Sequence, residues 1–70
     1  MIGSPISMDA WGEHGAWLVA WDVLGYDDYM KVVKPWCEEN LSERVQFVAS
    51  SCIATGGHDD ALLLYMRFKQ

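Results

Sequence analysis

A two-residue period sorts the side chains of three apolar-rich stretches of this chain, at 16–23, 45–54 and 61–69, onto two faces. In the first, Trp17, Val19, Trp21 and Val23 share one side of a two-residue period, opposite Ala16, Leu18, Ala20 and Asp22. Trp and Val gathered on one side suit a strand lying against a helix. The same residues also fit a helix from about Ser7 to Leu24, closed by Gly25, with Trp17, Ala20, Trp21 and Leu24 on one face. Gly12 and Gly15 weaken that helix, and the strand is the preferred reading. In the second stretch Val45, Phe47 and Ala49 share a side, and the run to Ala54 reads as another strand. In the third, Leu62, Leu64, Met66 and Phe68 oppose Ala61, Leu63, Tyr65, Arg67 and Lys69. A strand apolar over most of both faces belongs inside a sheet. A buried helical turn is the competing reading, because short apolar runs do not separate the two by period. The turn formers Gly56, Gly57, His58, Asp59 and Asp60 ahead of it favour a hairpin with the second stretch.

Between the first two stretches the period changes. Tyr29, Val32, Val33, Trp36, Cys37 and Asn40 or Leu41 recur at three- and four-residue steps, which predicts an amphipathic helix. Asp27 is a good N-cap after Gly25 and Tyr26, and Asp28 suits the first turn. Pro35 falls inside the pattern, lacks a donor and clashes with the preceding turn. The pattern therefore predicts one piece to about Lys34 and a second starting at Pro35. Near the start, Ser7 caps a short helical turn through Trp11 that the two glycines end. The sum is a single α+β domain over 1–70. It has a three-stranded antiparallel sheet in the order 1-3-2 with 61–69 in the centre, a kinked crossover helix on one face and a short N-terminal helical turn. Trp17, Trp21 and Trp36 fall between the layers. Leu63 and Tyr65, on the far side of the central strand, need cover from the N-terminal segment, a second subunit or a partner.

Composition constrains what such a domain does. Seventy residues leave a thin stability margin, and the chain answers with 51% hydrophobic residues, including four Trp, three Tyr and two Phe. That fills an interior and leaves little to line a deep substrate pocket. Ten acids against five bases give a net charge of −5. Phosphate backbones and anionic membranes are bound through clustered Lys and Arg, so neither is expected as a partner. Residues 1–5 have neither a basic start nor an apolar core segment, so no secretory signal is expected. Two cysteines are too few for a disulfide scaffold. The expectation is a cytoplasmic protein with reduced thiols.

Candidate chemistry is sparse. His14, Cys37, Cys52 and His58 are potential ligands, but no two lie within five positions of each other, whereas zinc sites recruit ligands in close pairs. No metal or cofactor is expected. Cys52, Ser50 or Ser51 beside His58, with Asp59 or Asp60 behind, supplies the residue types of a nucleophilic site without any signature around them. Gly56-Gly57 lacks the lysine and the strand–loop–helix context of a phosphate loop.

The acidic residues are the more suggestive feature. Asp27-Asp28, Glu38-Glu39 and Asp59-Asp60 form doublets, joined by Glu43, Asp9, Glu13 and Asp22. Each doublet alone reads as a solvated face; together they suit a partner with a basic surface. Tyr26 beside the first doublet is the kind of residue that anchors an interface. The expected binding set is Tyr26, Asp27, Asp28, Glu38, Glu39, Glu43, Asp59 and Asp60. In size and charge the chain resembles small acidic phage-encoded anti-CRISPR inhibitors, a group without a shared motif from which residue roles can be carried over. The resemblance implies a non-enzymatic inhibitor, a possible DNA mimic, whose partner is an effector complex or nuclease with a basic nucleic-acid-binding groove. Two other readings remain: a regulatory or toxin-neutralising module that docks through exposed aromatics, and a minimal hydrolase using Cys52 and His58.

Overall fold

The computed structural model describes residues 2–12, 14–49 and 51–69. Strands β1 (Pro5–Ala10) and β2 (Trp17–Trp21) come first. Helix α1 follows over 26–40, made of Tyr26–Asp28, a π-helical segment Tyr29–Val33 and an α-helical segment Lys34–Asn40. Strands β3 (Gln46–Ala49) and β4 (Cys52–Thr55) and helix α2 (His58–Phe68) complete the chain. The four strands form one antiparallel sheet in the order β1-β2-β4-β3. The α+β class stands as expected; the three-stranded 1-3-2 sheet does not.

The largest correction concerns 61–69, which is helix rather than central strand. Ala61, Leu64, Tyr65 and Phe68 recur at three- and four-residue steps. Ala61 and Leu64 are fully buried, Tyr65 and Phe68 half-buried, and Leu62, Leu63 and Met66 exposed. A strand would have grouped Leu62 with Leu64. Asp59 and Asp60 in the first turn and Arg67 in the last complement the helix dipole. Gly57 precedes the helix, so the supposed hairpin loop is a helix start.

Two strands replace the one lost. Residues 5–10 pair with β2 instead of forming a helical turn at Ser7. Gly12 and Gly15, expected to stop that turn, lie in the connection of a β-hairpin, each with φ +81°. The Trp11 N–H donates to the Ala16 carbonyl across this connection (2.8 Å). Residues 17–21 are a strand, as preferred over the helix ending at Leu24. The run 45–54 is two strands, because the chain reverses at Ser51, whose φ is +67°. That turn is tied to the exit of β2. The Ser51 carbonyl accepts from the Trp21 N–H (2.7 Å), and its hydroxyl accepts from the Leu24 N–H (3.2 Å) and reaches the Leu24 carbonyl (3.4 Å). These long-range bonds fix a reversal that alternation alone does not reveal.

Pro35 does not break α1. Upstream of it the helix widens, and the Lys34 N–H reaches back to the Tyr29 carbonyl, five residues away. A wider turn gives the proline ring room against the preceding carbonyls, and the α-helix resumes at Lys34 with Pro35 in its first turn. Tyr29, Val33 and Cys37, at four-residue steps, then all face the core.

The sheet register lines up Met8, Val19, Ile53 and Phe47 across four strands. Both helices pack on this side. Val19, Trp21, Leu24, Tyr29, Val33, Cys37, Ile53, Ala61 and Leu64 make one core. Each fully buried aliphatic side chain contributes about 1.5–3 kcal/mol. Phe68 stands edge-on between Trp21 (6.1 Å between ring centres) and Trp36 (5.8 Å), joining sheet, α2 and α1. Among the described residues, no helix is long and apolar enough to cross a membrane.

Candidate functional site

The expected binding residues divide between two places. Tyr26, Asp27, Asp28, Glu38 and Glu39 belong to α1, and Glu43 to the connection that follows. Asp59 and Asp60 open α2. The helix begins two residues earlier than expected. Gly25 occupies the N-cap position without a side-chain hydrogen bond, so Asp27 lies inside the first turn rather than capping it. Asp27, Glu38, Glu39 and Glu43 are exposed and Asp28 half-buried. Lys31 and Lys34 lie between the two doublets of α1 in the sequence, so the acids of this helix are interrupted by two cations. Asp9 and Asp22 are exposed; Glu13 and Ser50 lie outside the described residues.

Asp60 is the exception among the acids. It is only 7% exposed. Its carboxylate accepts from the Ser42 N–H (3.3 Å), the Ser42 hydroxyl (3.0 and 3.1 Å) and the Glu43 N–H (3.2 Å). The expectation that it is solvated is corrected: Asp60 ties the connection after α1 to the start of α2. Asp59 beside it is fully exposed, 3.8 Å from the His58 ring. Glu43 reaches the same region, since a Cβ at Gly56 would run into its carboxylate.

A groove of about 660 Å³ lies between α1 and the segment 41–47. Its aromatic part is a trio. Tyr26 meets Phe47 edge-on (5.5 Å), Tyr29 lies 5.1 Å from Phe47, and the two tyrosines are 6.1 Å apart. Tyr29 is buried, but Tyr26 is 59% exposed. Lys34, Glu38, Glu43 and Arg44 supply charges of both signs around the groove. Burial raises the Tyr29 phenol above its ordinary range, helped by the negative charge of Cys37, Tyr26 and Glu38 when ionised. Burial, then the charges of Asp60 and Glu38, pushes the Cys37 thiol up to about 12. At neutral pH Cys37 is thus a protonated thiol, a poor nucleophile and a poor metal ligand.

The remaining candidate chemistry is dispersed. Cys52 opens β4 while His58 lies past its other end, and His58 packs edge-on against Trp17 (4.7 Å). Cys37 is in the core and Cys52 half-buried. Among the described residues, no three His, Cys, Asp or Glu gather as metal ligands would. The aromatic trio escaped sequence reading, although Tyr26 did not. Phe47 reaches Tyr26 only because the chain reverses at Ser51. Comparison with family models, with curated proteins and with solved structures gives no match.

Proposed function

We propose that this protein works by docking on a basic surface of another protein, through the exposed acids of α1 and the groove beside it. The observation that supports this most is the position of Glu38 and Glu39. They are exposed near the C-terminal end of α1, whose last turn carries no basic residue. Negative charge there opposes the helix dipole, so these glutamates cost the fold a little. Their placement is better explained by something outside the fold. Tyr26, at the mouth of the groove, supplies the apolar anchor that charge alone lacks. The partner class with the largest basic surfaces is nucleic-acid-binding proteins, and an inhibitor of an effector complex, as in anti-CRISPR proteins, is the specific form of this reading. No turnover is required.

Capture of the partner from the native host, followed by competition with DNA, tests it. Binding is expected to weaken with added salt, to be displaced by duplex DNA and to fall when Glu38 and Glu39 are both replaced by Lys. Binding indifferent to salt and to these charges, and lost with Tyr26→Ala, selects the aromatic-docking reading, which the exposure of Tyr26 supports.

A further inference from the structure

Helix α2 is apolar on both sides. Ala61, Leu64, Tyr65 and Phe68 face the core, while Leu62 (43% exposed), Leu63 (52%) and Met66 (60%) face away from it. Three adjacent exposed aliphatic side chains on one face form a contiguous apolar patch, and the largest such patch on a small protein is often functional. Independently of the partner proposed above, we infer that a second copy of this chain covers the outer face of α2, with the two helices antiparallel about a two-fold axis beside Leu63.

Charge selects both the occupant and its direction. Asp59 and Arg67 flank the apolar stripe, each four residues from Leu63, hence about 6 Å along the helix from the axis. Antiparallel packing sets Asp59 of each copy against Arg67 of the other and Leu63 against Leu63. Parallel packing would set like charges together. The stripe is therefore its own complement, as a closed two-fold interface requires. The side chain of Asp59 is fully exposed. The Arg67 guanidinium rests over the Phe68 and Trp36 rings (5.2 and 6.0 Å to their centres), which holds it at the flank of the stripe. Three half-exposed aliphatic side chains offer on the order of 300 Å² per copy, so about 600 Å² from both, roughly half of the 1,200 Å² total at the lower end of stable specific interfaces. The dimer is accordingly weak and reversible.

Sedimentation equilibrium over a wide concentration series tests this, with circular dichroism to check folding. The native chain is expected to move from monomer to dimer as concentration rises. Leu63→Glu should weaken association on the order of tenfold or more. Asp59→Arg and Arg67→Asp should each weaken it, and the double variant Asp59→Arg/Arg67→Asp should recover it. A native chain that stays monomeric throughout overturns the inference. So does association that survives Leu63→Glu, or a double variant that associates no better than its parents.

Discussion

Helices α1 and α2 close the same core from one side of the sheet, but they distribute their residues in opposite ways. Helix α1 hides titratable groups, Tyr29 and Cys37, on its inner face and shows carboxylates outside. Helix α2 hides one carboxylate, Asp60, at its start and otherwise aliphatic side chains, and shows more aliphatic side chains outside. Helix α1 accommodates Pro35 by widening into a π segment, whereas α2 is regular throughout. Hydrophobicity alone therefore does not mark the inward face here. Position relative to the sheet decides it.

The sharpest way to break this comparison is to truncate neighbours on α2. Leu64 is fully buried and Leu63 half-exposed. Leu64→Ala is expected to cost about 2–5 kcal/mol through lost burial and a residual cavity. Leu63→Ala, measured at concentrations where the chain is monomeric, should stay within about 0.5 kcal/mol. Urea denaturation of both variants decides it. Equal costs would return 61–69 to a segment buried on both faces, as in the strand reading.

The next effect belongs to the link between the helices. Asp60→Ala removes the acceptor for Ser42 and for the Glu43 N–H. The expected loss is about 1–3 kcal/mol, moderated where water replaces the carboxylate. Faster amide exchange at Ser42 and Glu43, with the core of α2 still protected, locates the damage. Asp59→Ala, one residue away and fully exposed, should leave exchange there unchanged.

These two cases also show what was legible in the sequence. The strand at 17–21 was readable because Gly12 and Gly15 weigh against the competing helix, and the helix 26–40 because its apolar residues recur at three- and four-residue steps, although its continuity through Pro35 was not. The segment 61–69 satisfied both periods. Its helical signals were the acids at Asp59 and Asp60 and the cation at Arg67, and these lost to the preceding double glycine. The reversal at Ser51 was not legible, since it rests on bonds to Trp21 and Leu24, far away in sequence. The burial of Asp60 was hidden for the same reason, because Ser42 and Glu43 meet it only after both helices are in place. The exposed acids of α1 and Tyr26 were readable, being local features of one helix; the groove beside them depended on the missed turn.

The inner face of α1 predicts a pH dependence of stability. The Cys37 thiol rises from 9.0 to about 12 in the fold. A group whose folded value is raised stabilises fully below its unfolded value and loses that contribution as pH rises through the folded one. Stability should therefore fall between pH 9.0 and about 12, and ionisation of Tyr29, also raised, adds in the same direction. The urea midpoint of Cys37→Ala should start lower yet decline less steeply over that range. Identical slopes would mean that burial of Cys37 is not what holds its proton.

The smallest effect on stability is the most telling about function. Replacing Glu38 and Glu39 by Lys puts positive charge at the C-terminal end of α1, where the dipole favours it. Each change should raise stability by about 0.3–1 kcal/mol at low ionic strength, and the gain should shrink as salt screens it. The same substitution on α2 is already present by nature, in Arg67. If thermal unfolding shows the double variant more stable while partner binding falls, the glutamates are kept at the expense of the fold and serve the surface. If stability falls instead, local pairing with Lys34 or Arg44 outweighs the dipole, and the acids of α1 belong to the fold in the way that Asp60 does.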